Sequence, residues 1–272
     1  MRESLHVENK HRKLFSFVDK MRPFASVSHH FGITLGKDQR RRSKVVKGVL
    51  NDPVEGEVSV YFKLYGYRRL KRSLSRILKE TRSKGEFSNL LFFHKIGIPA
   101  CEPIAQGEYR NFLGIPRNCM IITREIMGAK QLDHFVRDLE LDDLSSETKL
   151  LIRRNIIKSL AHNTKKIHDH NFYHDDLKWR NILVRYVAGG NYDVEIFWID
   201  CPNGYFDKTG GLRQNHGVIK DIATLDHLAW RNCTKDERKY FLSCYLGCCV
   251  TDTQLAELAD AVIEYRKRKL DD

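Results

Sequence analysis

One short stretch of this chain gathers side chains whose types and spacing suit a reaction at phosphorus. It is Tyr173-His174-Asp175-Asp176-Leu177-Lys178-Trp179-Arg180-Asn181, followed by the apolar Ile182-Leu183-Val184. Asp176 can accept the proton of an attacking hydroxyl and orient its oxygen. Lys178, two residues on, can neutralise charge on a moving phosphoryl group, and Asn181, five residues on, can turn back to hold a divalent cation. Nineteen residues past Asn181, a second apolar run ends in Trp198-Ile199-Asp200 and brings another carboxylate to the mouth of the same hairpin. Asp and Asn also cap ordinary turns. Turn-capping alone leaves Lys178, the hairpin and Asp200 without a reason.

The order H-x-D-L-K-x-x-N followed by a strand is that of a kinase catalytic loop, and Asp200 stands where the metal-binding Asp of a D-F-G motif would. Upstream there should then be groups for a nucleotide. Val60-Tyr61-Phe62-Lys63-Leu64-Tyr65 is a strand bearing a lysine among apolar residues, and Glu86, 23 residues later, is its expected ion-pair partner against the phosphates. In isolation such a pair would be solvated surface charge; its place ahead of the loop favours function. Thr123-Arg124-Glu125-Ile126 falls where a linker between lobes would offer backbone groups of Glu125 and Ile126 to adenine.

These side chains need a scaffold. Val45–Leu50 and Val58–Tyr65, β-branched and aromatic, read as an antiparallel pair around a turn at Asn51-Asp52-Pro53. A basic helix-like stretch spans 67–84, and a packed helix Glu86–Lys95 is stopped by Gly97-Ile98-Pro99. Ile104–Tyr109 and Cys119–Ile126 are further strands, the second apolar enough to be buried on both faces. Residues 147–169 form the clearest helix, with Ile152, Ile156, Leu160 and Ile167 near the 3.6 period. Strands Ile182–Val184 and Val194–Ile199 flank the turn signal Ala188-Gly189-Gly190-Asn191, and 218–269 reads as helical. Strands first and helices after predict an α+β chain of two lobes: a basic N-terminal extension over 1–43, a nucleotide-binding lobe over 44–126, and a catalytic and substrate lobe over 127–272.

From Val58 to Gly247 the chain resembles the lipopolysaccharide core kinases, the Kdo/heptose kinase family related to protein kinases. The likeness is carried by Tyr61-Phe62-Lys63-Leu64-Tyr65, by Glu86 before Gly97-Ile98-Pro99, by the catalytic loop, by Ile199-Asp200, by Lys220-Asp221-Ile222-Ala223-Thr224-Leu225 and by Phe241-Leu242-Ser243-Cys244-Tyr245-Leu246-Gly247. It implies a protein-kinase-like fold, an antiparallel-sheet N-lobe with a short helical C-lobe, and phosphorylation of a sugar hydroxyl of the lipopolysaccharide inner core. ATP and Mg²⁺ would be the cofactors. Asp176 and Lys178 would act on the acceptor and phosphoryl group, Asn181 and Asp200 on the metal, and Lys63, Glu86, Glu125 and Ile126 on the nucleotide. Four departures stand out. No G-x-G-x-x-G precedes Lys63; the only turn available is Asp52–Gly56, so phosphate cradling must be looser or use other groups. Asp175 replaces the arginine of H-R-D, and Cys201-Pro202 replaces Phe-Gly after Asp200. There is no A-P-E, and 72 residues follow Asp200, which argues against peptide docking.

Charge narrows the partners. Of the net +12, residues 1–50 hold 12 Lys/Arg against 4 Asp/Glu and residues 63–84 hold 9 against 1, whereas 85–272 sum to −1. Such a field favours a polyanion: nucleic acid, an anionic membrane surface or a phosphorylated substrate, which the resemblance would make the lipopolysaccharide core or another anionic glycolipid. Nucleic acid would explain Arg40–Arg42 and 68–84 but not the catalytic residues, and no RNA-binding aromatic motif is present. A pseudokinase scaffold would lack Lys63, Asp176 or Asp200, and all three are present. A small-molecule or protein kinase of the same fold remains the alternative enzyme. With no run of about 18 apolar residues and no apolar stretch in the charged first 25, neither a membrane span nor a secretory signal is expected, and the location implied is the cytoplasmic face of the inner membrane. Seven cysteines without a C-x-x-C pair suit a reducing compartment, and Cys244, Cys248 and Cys249 lie in an apolar run that suits buried thiols better than zinc.

Overall fold

The computed structural model describes residues 2–33, 43–67, 80–187, 192–207, 212–247 and 251–271. Arg40–Arg42, most of the basic stretch over 67–84, the turn at Ala188–Asn191, Cys248 and Cys249 lie outside the described residues. The chain divides into two compact units, Met1–Phe92 with Cys101–Ile126, and Phe93–Ala100 with Met127–Asp272.

The first unit is built on a five-stranded antiparallel sheet. Its strands are β1 (Arg2–Val7), β2 (Ser43–Asp52), β3 (Gly56–Gly66), β4 (Pro103–Arg110) and β5 (Pro116–Arg124), in the order β1-β4-β5-β3-β2. Along β3, Val58, Val60, Phe62 and Leu64 alternate onto one face and are buried, while Tyr61, Lys63 and Tyr65 point to the other. The buried face is covered by the N-terminal segment, whose role the sequence left open. Leu14 and Phe15 from a 3-10 turn (Asn9–Phe15), and Phe24, Val27 and Phe31 from and just after α1 (Pro23–His30), complete the core. Each such side chain contributes on the order of 1.5–3 kcal/mol by leaving water. The residues of β5 from Cys119 to Ile122 are buried on both faces, as their continuous apolar character implies.

The β2–β3 hairpin turns at Pro53-Val54-Glu55, two residues later than the sequence suggested. Asp52 Oδ1 accepts hydrogen bonds from the N–H groups of Val54 (2.7 Å) and Glu55 (3.0 Å), and Gly56 takes the left-handed φ of +79° that the return requires. On the opposite face, α2 (Arg82–Lys95) begins four residues before Glu86.

The second unit opens its residues 127–272 with a two-residue strand, β6 (Lys130–Gln131), and then α3 (Leu132–Leu141), a helix absent from the sequence-based reading. Next comes α4 (Ser146–Asp169), whose Ser145 cap accepts from Thr148 N–H and whose buried face carries Ile152, Ile156, Leu160 and Ile167. A short pair, β7 (Phe172–Tyr173) and β10 (Tyr205–Phe206), and a three-stranded sheet, β6-β8-β9 with β8 (Ile182–Tyr186) and β9 (Val194–Trp198), frame the segment from His174 to Asn181. Three helices follow: α5 (Leu212–Asn232), α6 (Lys235–Leu246) and α7 (Asp252–Lys269). The last two start in capping boxes, Thr234 with Glu237 and Thr251 with Gln254.

Candidate active site

In the second unit the chain from His174 to Asn181 runs between β7 and β8, and the register of β8 with β9 pairs Ile182 with Trp198. Ile199 N–H donates to the Asn181 carbonyl at 3.0 Å, so Asp200 directly follows the residue paired with Asn181. The structure thereby brings together Asp176, Lys178 and Asn181, with Asp200 at the end of the adjoining strand. Asp176 is held from two directions. Lys178 Nζ lies 2.5 Å from its Oδ1, and Asn181 Nδ2 donates to its backbone carbonyl at 2.9 Å and approaches Oδ2 at 3.5 Å. Since the Asn181 nitrogen serves Asp176, the amide oxygen is the atom suited to a cation. Two of the site's aspartates sit in the left-handed region, Asp175 at φ +67° and Asp200 at +57°. Asp is one of the few non-glycine types that tolerates it.

The backbone that carries Asp176 is anchored by a residue to which sequence reasoning gave no role. Asp221, fully buried on α5, accepts from His174 N–H at 2.7 Å on Oδ2 and from Asp175 N–H at 2.9 Å on Oδ1. Its Oδ2 also meets His168 Nε2 of α4 at 3.3 Å, and His168 Nδ1 meets the Tyr245 hydroxyl of α6 at 2.8 Å. A buried carboxyl group needs hydrogen-bond partners, and here two come from the loop itself and one from His168. Beside it, Lys220 Nζ binds Asp175 Oδ1. Burial pulls the Lys220 ammonium down, but the hydrogen bond and charge of Asp175 outweigh it and hold the pKa above the ordinary lysine value. The signal in the sequence was a Lys-Asp pair inside an otherwise apolar helical stretch. The side chain of His174 is enclosed by Phe93 and Trp198, and burial lowers its pKa, which keeps the ring neutral.

In the first unit Lys63 and Glu86 meet as expected, at 3.4 Å, with both side chains mostly shielded from water. Tyr65, two residues along the same strand face, donates its hydroxyl to Glu86 Oε2, and Lys63 Nζ lies 5.0 Å from the centre of its ring. Tyr65 steadies the carboxylate that steadies the lysine, a role the strand motif alone does not reveal. Glu125 N–H is already given to Ser59 O at 2.9 Å, so an adenine contact there falls to the Glu125 carbonyl and the Ile126 backbone. The Glu125 side chain instead binds Lys47 at 2.7 Å.

Of the two options that a missing glycine-rich loop leaves, the geometry favours other groups over the turn at Asp52–Gly56, because Lys63 pairs with Val45 at the other end of the hairpin, about 24 Å along the strand from Gly56.

A family model described as lipopolysaccharide kinase (Kdo/WaaP) matches residues 34–245. The chain belongs to this family. No curated protein matches it. Among solved structures it is similar to WaaP in complex with acyl carrier protein, at 18% identity and a TM-score of 0.68, over 99% of this chain and 98% of that one. The fold is therefore protein-kinase-like, α+β, and membership of the lipopolysaccharide kinase family makes the chain a phosphotransferase. Within that family frame, Asp175 in place of the H-R-D arginine acquires a physical meaning. An arginine there would seek an anionic partner; the aspartate finds a cation, Lys220, already built into α5. Among the described residues no three His, Cys, Asp or Glu side chains gather as a metal site. Mg²⁺ does not need them, because it usually takes one or two protein oxygens and completes its shell with water and phosphate. Asn181 and Asp200 fit that demand.

Proposed function

We propose that this lipopolysaccharide kinase family member transfers the γ-phosphoryl group of ATP to a sugar hydroxyl of the lipopolysaccharide inner core. The observation that carries the reading is Asp176, held by Lys178 and Asn181 on a backbone fastened to Asp221. In the reaction the acceptor oxygen bonds to the γ-phosphorus, the bond to the β–γ bridging oxygen breaks, and the acceptor proton passes to Asp176. Lys178 neutralises charge on the equatorial oxygens of the transferring group. Lys63, oriented by Glu86, holds nucleotide phosphate, and Glu125 with Ile126 offers backbone groups to adenine. Asn181 and Asp200 would hold Mg²⁺, which supplies charge neutralisation at the phosphates. The chemistry asked of the protein is mostly positioning and electrostatics.

The basic first third of the chain suits an acceptor that is already phosphorylated and lipid-linked, encountered at the inner face of the inner membrane. No helix among the described residues is long and apolar enough to cross a membrane. The test is to incubate the purified protein with γ-labelled ATP and Mg²⁺ and to separate lipopolysaccharide, protein and free-sugar fractions. Label is expected in lipopolysaccharide, lost in Asp176→Asn. Label confined to protein or to free sugar would overturn the acceptor assignment.

A further inference from the structure

The β4–β5 hairpin ends in Asn111-Phe112-Leu113-Gly114 and presents two consecutive large apolar side chains to water, Phe112 76% and Leu113 64% exposed. The tip is a tied loop. Asn111 N–H donates to Ile115 O and Gly114 N–H to Asn111 O, both at 3.0 Å, while Ile115 N–H reaches Asn111 Oδ1 at 2.9 Å and Arg110 Nη1 reaches Gly114 O at 2.8 Å. Gly114 takes the left-handed φ of +76° that closes it. The backbone bonds to itself, and the two apolar side chains are left outside.

The hairpin segment that carries this tip is basic. From Tyr109 to Arg124 the sequence has arginines and no acid. Arg117 is exposed, and β1 sets the exposed Arg2 opposite Arg110. Glu108, on the same end of β4, is already engaged by Arg110 at 2.7 Å and by the Thr81 hydroxyl at 2.6 Å. Tyr67 N–H donates to Arg117 O at 3.0 Å, and from Tyr67 the sequence continues into Arg68-Arg69-Leu70-Lys71-Arg72. The opposite end of the sheet provides a contrast. There the exposed Val54 sits between Asp52, Glu55 and Glu57 in the β2–β3 turn.

We propose that the Phe112–Leu113 tip docks the first unit on an anionic lipid bilayer. The two side chains enter the boundary between headgroups and acyl chains, and the exposed Arg2 and Arg117 meet lipid phosphate. Apolar residues flanked by basic ones bind anionic membranes by burying apolar area while their cations lower the electrostatic energy. Two side chains are too small a patch for a stable protein interface, which needs about 800 Å² per partner. The acidic turn at the other end would be repelled by the same surface. This deepens the membrane location proposed above and is independent of the phosphoryl-transfer chemistry.

The test uses the full chain and vesicles free of lipopolysaccharide, made of phosphatidylcholine alone or with phosphatidylglycerol. The parent should sediment with the anionic vesicles and not with the neutral ones. The double variant Phe112→Ser/Leu113→Ser should bind them about tenfold more weakly or worse, since two apolar side chains lose their burial. Its melting temperature and its turnover on a delipidated oligosaccharide acceptor should match the parent. Phe112→Trp should show blue-shifted emission on anionic vesicles and quenching by brominated acyl chains. Undiminished binding by the double variant, or an unshifted emission from Phe112→Trp protein that does sediment, would overturn the proposal. Equal binding to both vesicle types would remove its electrostatic half. If vesicle binding follows the tip but no lipopolysaccharide fraction is phosphorylated, the acceptor assignment fails and the docking surface stands.

Discussion

Asp176, the proposed proton acceptor, is held in place from two sources. Lys178 and Asn181 fix its carboxylate from within six residues, which is why this cluster could be read from the sequence. Asp176→Asn keeps the shape and removes the proton acceptor. It should lower kcat by about 10²–10⁴-fold while the melting-temperature rise given by Mg·ATP stays close to that of the parent. Activity within tenfold of the parent would move the role elsewhere. The second source was not legible, because Lys220 and Asp221 lie some 45 residues downstream and reach the loop only through the fold. Here the expected result is a coupling. Asp175→Asn retains a residue type that accepts φ +67° and removes only the charge. Lys220→Met removes the partner, and Lys220→Arg restores a cation. Asp175→Asn and Lys220→Met should each lower kcat with little change in KM for ATP, their double variant should be no worse than either alone, and Lys220→Arg should recover most of the loss. Additive losses in a double-mutant cycle would show that the pair does not act as one unit.

Among the elements, the hairpin of β2 and β3, the strand β5 and the helix α4 announced themselves by alternation or by the 3.6-residue period. Strand β1 did not, because its residues are alternately exposed and half-buried and give no apolar face to read. Its place is set by pairing with β4, a partner about a hundred residues away. Leu132, Phe135, Val136 and Leu139 of α3 do follow helical spacing, but the helix lies next to Gly128 and a two-residue strand that break the pattern. Close approaches between elements are equally hidden in sequence. Gly217 on α5 lies against Tyr173 so tightly that an added Cβ would stand 2.4 Å from the ring, and Tyr173 directly precedes His174. Gly217→Ala should therefore cost about 1–3 kcal/mol through overpacking, partly offset by better helix propensity. Because the displaced ring leads into the catalytic loop, kcat should fall together with the melting temperature. A variant as stable and as active as the parent would mean that Tyr173 can move aside freely.

At the level of the whole molecule, the carboxylates and one histidine set how stability follows pH. Glu237 is raised by burial, but the Arg153 guanidinium at 2.6 Å and the Thr234 N–H pull it further down, below the ordinary glutamate value. Glu102 is likewise pushed up by burial and brought below that value by Lys10, His11 and Arg124. Groups depressed in this way stabilise the fold above their unfolded pKa, near 4.5, and the contribution disappears as pH falls through their folded values. His174 acts earlier. Its folded pKa lies below 6.5 because burial disfavours the imidazolium, so below pH 6.5 the unfolded chain takes up a proton that the folded chain refuses. Stability should therefore begin to fall just under pH 6.5, by at most about 1.4 kcal/mol per pH unit for the single proton, and fall again below about 4.5. Among the described residues neither ring nitrogen of His174 has a hydrogen-bond partner, and its neighbours Phe93 and Trp198 are aromatic. His174→Phe removes the titrating group together with two buried polar atoms, and so should flatten the melting temperature between pH 6.5 and 5 without a large loss at pH 8. A parent whose melting temperature is level across that window, or a variant that keeps the parent's slope, would assign the acid sensitivity to other groups.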